Sequence, residues 1–268
     1  MTQGRASEDQ PRLRDVLAAM LRAELARDWA WHDPFRVRIE APDVLAPRAA
    51  LLRREGGTIS LTVTRHTARD LVARDGDPHV VPHILQFARA TAARRAVFTM
   101  TDGHRPGTYR FSPSSNRAGI VLVPDPFFFR HRAYAQADRA WHDAPAWADR
   151  EDTLVWRGSA NGPGDVSWDT DRIDDPHVMA RMRLVMIARA SGIDARLIFG
   201  RAHPLARYGS FFEARGLAAE RVDEMSWANR RYALDIDGHS NAWNNFANRL
   251  KLGCCVFKVQ SERGFRQW

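Results

Sequence analysis

Tyr232-Ala233-Leu234-Asp235-Ile236-Asp237-Gly238-His239-Ser240-Asn241-Ala242-Trp243-Asn244-Asn245-Phe246 is the stretch on which the reading of this chain turns. An apolar strand, Tyr232 to Ile236, runs into Asp237-Gly238. The chain then passes through small polar residues into a helix predicted over Asn241 to Leu252 and closed by Gly253. Cys254 to Val259 is again apolar and reads as a strand. Strand, turn, helix and strand in this order make a parallel βαβ unit, in which ligands sit at the carboxyl ends of the strands. The first amides of the helix, near Ser240 to Trp243, lack intrahelical partners. They and the positive end of the helix dipole suit a phosphate, and Gly238 lets a ligand approach the backbone. Ser240 or Asn241 acting only as a helix cap accounts for the same residues equally well.

Upstream, the pattern repeats. A strand from Thr153 to Trp156 ends in Arg157-Gly158-Ser159, followed by a helix over His177 to Ala190 closed by Gly192, and a strand over Ala195 to Phe199. Arg157 offers a planar fork for a phosphate, Gly158 opens the turn and Ser159 adds a hydroxyl donor. A surface arginine in an ordinary turn is the competing reading. Arg181 and Arg183 stand two apart on the predicted helix, so at most one of them faces a ligand.

The first half is less regular. Leu13, Val16, Leu17, Met20, Leu21 and Leu25 recur at helical spacing between Pro11 and Trp29. Alternating apolar residues predict strands at Phe35-Val37-Ile39 and at Ile59-Leu61-Val63, the second entered through Gly56-Gly57. A helical stretch near His83 to Arg95 leads into a short strand, Ala96 to Met100, that stops at Thr101-Asp102-Gly103. Arg105 to Asn116 reads as a loop, and Gly119 to Val123 as a strand stopping at Pro124-Asp125-Pro126. A polar segment around Asp143 to Asp149 places the domain boundary near Arg150, giving domains 1–150 and 151–268.

Composition limits the classes open to the chain. Its 268 residues, 44% hydrophobic and 27% charged, are those of a globular α/β protein. No apolar run reaches the roughly 20 residues of a membrane helix, and Met1 to Gln10 is polar, so the expectation is a cytoplasmic protein. The net charge of +8 comes almost wholly from scattered arginines, with Lys251 and Lys258 the only lysines; without a reader motif it does not indicate nucleic acid. Cys254 and Cys255 are adjacent, a spacing that excludes an ordinary disulfide and offers no metal-ligand pattern.

Taken together, Trp156-Arg157-Gly158-Ser159, the helix bearing Arg181 and Arg183, Tyr232 to Gly238 with Trp243, and Gly264-Phe265-Arg266-Gln267-Trp268 resemble, in order, the bacterial branch of glycosyltransferase family 90, the capsule-associated-protein type. Val123-Pro124-Asp125-Pro126-Phe127-Phe128 resembles the acceptor-half signature of that family. The resemblance runs from about Ala96 to Trp268. It implies a GT-B-like fold, two Rossmann-like halves facing across a cleft, and inverting transfer of a glucose- or xylose-class sugar from a UDP-sugar to a glycan or protein hydroxyl. It implies no cofactor beyond the donor, no obligatory metal, and at most peripheral association with a membrane surface. On this likeness the donor is held by Arg157, Gly158, Ser159, Arg183 (or Arg181), Asp237, Gly238, Ser240, Asn241 and Trp243. Asp102 is the base on the acceptor hydroxyl and Asp125 its rival.

Two departures accompany the resemblance. Asn244 or Asn245 stands where eukaryotic relatives carry a phosphate-binding arginine, so positive charge must come from Arg157, Arg183 or Lys258. The family pattern also continues past Gln267-Trp268, so the second half is expected to be incomplete, with a catalytically inactive nucleotide- or anionic-glycan-binding remnant as the alternative. In that case the strand Cys254 to Val259, apolar on both sides of its pleat, leaves part of its sheet to water.

Overall fold

Helix α1 (Arg5–Trp29) carries Leu17, Leu21 and Leu25 at intervals of one helical turn, and all three are fully buried where it packs near strand β1 (Phe35–Glu40). The structure is a computed structural model and describes residues 5–29, 34–41, 45–46, 48–73, 80–103, 107–200 and 203–268. Met1 to Gly4, at the start of the polar lead, lie outside them. By contacts the α/β chain divides into two units, Met1–Ala133 with Arg266–Trp268, and Tyr134–Phe265.

In the first unit β2 (Ala49–Glu55) and β3 (Thr58–Thr64) form a hairpin turning through Gly56-Gly57. Helices α2 (Arg65–Ala73) and α3 (Val80–Ala90) precede β4 (Arg95–Thr99). The segment expected as a loop holds two short strands, β5 (Phe111–Ser112) and β6 (Ser114–Ser115). After them come β7 (Val121–Leu122) and helix α4 (Pro126–Arg130). The sheet has the order β1-β3-β2-β4-β5-β7. It is mixed: β2 runs antiparallel to both β3 and β4, whereas β4, β5 and β7 are mutually parallel. Phe87, Phe98 and Phe111, with ring centroids 4.8–5.1 Å apart, fill the space between α3 and β4–β5.

The second unit is a fully parallel sheet. Helix α5 (Ala135–His142), which lies before the boundary expected at Arg150, belongs to it, because Asp138 pairs with Lys251 and α5 packs on the segment Met225–Asn229. Then follow β8 (Glu151–Gly158), α6 (Ala180–Ser191), β9 (Asp194–Leu197), α7 (Gly209–Ala214), β10 (Arg230–Asp235), α8 (Asn245–Lys251) and β11 (Cys255–Lys258). The order is β11-β10-β8-β9, every pair parallel. Trp156, Leu197, Leu234 and Ile236 of the strand segments pack with Met182, Val185 and Met186 of α6 and Phe212 of α7 in one core. β11 is one of the two edge strands and is largely open, with Phe257 52% exposed and Val259, just beyond it, 36%. The last strand, β12 (Arg266–Gln267), returns to the first unit, pairing antiparallel with β6, while Trp268 meets Phe128 edge-on at 4.8 Å. Residues 266–268 thus belong with the first unit, not with 151–265.

Candidate functional site

Strand order locates the crevice. β8 has β9 on one side and β10 on the other, so the connections after β8 and after β10 carry the chain away in opposite directions. In a parallel sheet that reversal opens a ligand crevice at the carboxyl ends of the two strands. Two of the segments singled out in the sequence, Trp156 to Ser159 at the end of β8 and Asp237 to Asn241 after β10, meet this point.

Arg181 of α6 ties the two segments together. Its Nε donates to Asp237 O (3.0 Å), one Nη to Ser159 O (3.0 Å) and to Asn161 Oδ1, and the other Nη to Ile236 O (3.0 Å). Its guanidinium also faces the Trp156 ring, 5.6 Å from the centroid. Burial pulls its pKa down to about 10, and the Asp235 and Asp237 carboxylates counter that fall, so Arg181 is a cation at neutral pH. This explains Gly238 without a ligand: a Cβ there would lie 2.2 Å from Asn161 Oδ1 and 3.0 Å from the Arg181 guanidinium carbon. Of the two arginines spaced two apart, Arg181 is the one that turns to the crevice, and it does so as a clamp on backbone carbonyls.

Arg157 goes elsewhere. Its guanidinium donates to Asp194 O (2.7 Å) and Asp194 Oδ2 (2.8 Å), and Asp194 is paired with Val155, two residues back from Arg157 along β8. Asp194, at the start of β9, thereby holds the fork back from the carboxyl end. Arg183 is likewise engaged, bonding Val178 O (3.2 Å) and the Glu262 carboxylate. The helix start also shifts: α8 begins at Asn245, and Ser240 to Trp243 form a turn in which Gly238 N donates to Ser240 O (3.0 Å) and Ala242 N to Ser240 Oγ (3.2 Å). Ser240 Oγ therefore serves that turn, and Asn241 donates to Phe265 O (3.0 Å). Trp243 sits at φ 90°, a left-handed conformation that interrupts the helix predicted over Asn241 to Leu252.

The remaining charges lie at the end of β10. Lys258 Nζ bridges Asp235 Oδ2 (2.6 Å) and Asp237 Oδ1 (2.8 Å). Arg249 of α8, buried, bonds Leu234 O (2.7 Å) beneath Asp235. Glu224, half-buried, has its carboxyl raised in pKa by desolvation, with Arg249 and Asn248 opposing. Arg263, which the sequence reading did not single out, donates to His239 O (3.1 Å) in the turn after Gly238. The available signal was its position directly before Gly264-Phe265.

In the first unit, Asp102 follows β4 and Asp125 follows β7, at the same end of the parallel set β4-β5-β7. Asp102 is partly exposed. Asp125 is buried and caps α4, accepting from Phe128 N at 3.0 Å. Gly103, at φ 81°, lies so close to the strand beyond that a Cβ would come within 1.8 Å of Ser114 O.

Among the described residues no group of three or more His, Cys, Asp or Glu is arranged to hold a metal ion, and no helix is long and apolar enough to cross a membrane. No protein-family model and no curated protein matches the chain.

Proposed function

We propose that the chain is a nucleotide-sugar-dependent, inverting glycosyltransferase of GT-B architecture, with the second unit holding the UDP-sugar and Asp102 acting as base. The observation that carries the reading is the switch point between β8 and β10, where the sequence elements resembling the donor half of family 90 meet. The diphosphate lies against the turn after Gly238 and the Ser159 hydroxyl, with Arg263, beside that turn, supplying positive charge in place of Arg157, Arg183 and Lys258, which are engaged by Asp194, Glu262 and the Asp235–Asp237 pair. Asp102 removes the proton of the acceptor hydroxyl as its oxygen bonds to the anomeric carbon and the bond to the UDP oxygen breaks. Asp125 is the weaker candidate, since one of its oxygens is engaged in capping α4.

Calorimetric titration with UDP tests the donor site. Binding is expected, falling as salt rises, with Arg263→Ala weakening it by about 1.5–3 kcal/mol and Arg157→Ala leaving it nearly unchanged. A folded protein that gives neither heat nor a thermal shift at millimolar UDP overturns the reading.

A second reading, nucleotide or anionic-glycan binding without turnover, is favoured by one fact: Arg157, Arg181 and Arg183 are all engaged within the fold. It predicts UDP binding with no release of UDP from UDP-glucose or UDP-xylose.

A further inference from the structure

Asn161 follows β8 where that segment meets the turn after β10, and it is half-buried. Its neighbour Gly162, at φ 135°, would carry a Cβ 3.3 Å from Gly238 O, so the two segments lie in direct contact. An asparagine side chain has an oxygen that accepts and a nitrogen with two hydrogens to donate. Which end faces inward is settled by Arg181, whose guanidinium has donors only: it takes Oδ1, and the amide nitrogen turns away. The guanidinium is itself held by three backbone carbonyls, so the amide is fixed from behind. Among the described residues no group accepts from Asn161 Nδ2, and none pairs with the hydroxyl of Ser159. Both atoms are open to solvent.

We propose that Asn161 binds a phosphoryl oxygen through its amide nitrogen, next to the Ser159 hydroxyl. The inference rests on the crevice being a nucleotide-sugar site and names the group that meets the diphosphate from the β8 side. A sugar hydroxyl donates as well as accepts, and Asn161, its oxygen spent on Arg181, has nothing to accept with. A phosphoryl oxygen only accepts. The cation on Oδ1 polarises the amide and makes its N–H a stronger donor. Asp235 and Asp237, the acids at the end of β10, are bridged by Lys258, and Arg249 lies 3.7 Å from Asp235, so these carboxylates are offset.

Calorimetric titration of the full chain with UDP and with inorganic pyrophosphate tests the proposal. Asn161→Asp keeps an oxygen for Arg181 but replaces the outward donor with an anionic acceptor, and should weaken both ligands by about tenfold or more while melting no lower than the unaltered chain. Asn161→Ala removes the donor without adding charge and should weaken both severalfold. Unchanged binding in Asn161→Ala means that the amide makes no bond to the ligand and overturns the proposal, even if Asn161→Asp binds poorly through repulsion. The donor-site reading would survive that result, because the unaltered chain still binds UDP. Pyrophosphate binding that both substitutions weaken, with UDP bound no more tightly than pyrophosphate, would uphold the role of Asn161 and remove the nucleotide from the reading. Binding of neither ligand by the unaltered chain overturns both.

Discussion

The carboxyl ends of β8 and β10 and those of β4, β5 and β7 are built from different materials. In the second unit a buried arginine spans the carbonyls of Ser159, Ile236 and Asp237, and Lys258 joins two carboxylates. The corresponding end of the first unit is held largely by neutral groups, Thr99 Oγ1 to Thr101 Oγ1 (2.8 Å), Tyr109 OH to Gly103 O (3.1 Å), and Ser112 Oγ to Ser114 O, beside the Asp125 carboxylate that caps α4. Hydrogen bonds with a charged member contribute roughly twice as much as neutral ones. The second end is therefore preorganised by charge, and the first by close approach of backbone.

The largest effect should follow from removing the charged clamp. Arg181→Met takes the arginine's donors from Asn161 Oδ1 and the carbonyls of Ile236 and Asp237, and leaves Ser159 O only Asn161 N (2.8 Å); it should cost about 3–5 kcal/mol in urea unfolding. Arg181→Lys should recover less than half, since one ammonium cannot reach all of these acceptors. A loss below about 1 kcal/mol would remove the contrast between the two ends.

Next comes the backbone approach. Gly103→Ala puts a Cβ onto Ser114 O and a side chain at φ 81°, and should cost about 2–4 kcal/mol. In the same experiment the second unit should retain its native hydrogen-exchange protection if the two ends are independently built.

The smallest effect concerns the cost of charge inside the second unit. Burial raises the Glu224 pKa above its ordinary 4.5. A group whose folded pKa is raised contributes stability below its unfolded pKa and loses it as pH rises through the folded value. Glu224→Gln removes that loss, so its stability relative to the unaltered chain should increase between pH 4 and pH 7, by no more than about 1 kcal/mol. A flat difference across that range would mean that Asn248 and Arg249 fully compensate the carboxylate.

The second unit was readable because its strands are short continuous apolar runs separated by helical periodicity, a pattern that survives without knowledge of partners. β2 was not readable. Ala-Ala-Leu-Leu-Arg-Arg-Glu is composed of good helix formers, yet Ala49 to Leu52 are buried between β3 and β4, and that burial overrides propensity. β5 and β6 have two residues each and gain strand geometry from neighbours elsewhere in the chain, so nothing local marks them. In the candidate site the turns were placed by sequence, but the direction of each arginine was not. Arg157 is drawn back by Asp194, which lies beside it only once β8 and β9 have paired. Arg181 and Arg183 differ by their angular position on α6, which sequence sets but whose facing partner it does not.

Pairing of β12 with β6 makes the first unit discontinuous, since Arg266 faces Ser115 across the whole of Tyr134–Phe265. On a ribosome the chain emerges amino end first at roughly 5–20 residues per second, so several seconds of synthesis separate the two strands. Throughout that interval Ser114 and Ser115 wait without their partner, and Phe128 without Trp268. The intervening polypeptide forms a long loop for the fold to close, although the entropic cost grows only with the logarithm of its length and falls further if that stretch has already condensed. The first unit, although most of it precedes the second in the chain, is thus completed after it.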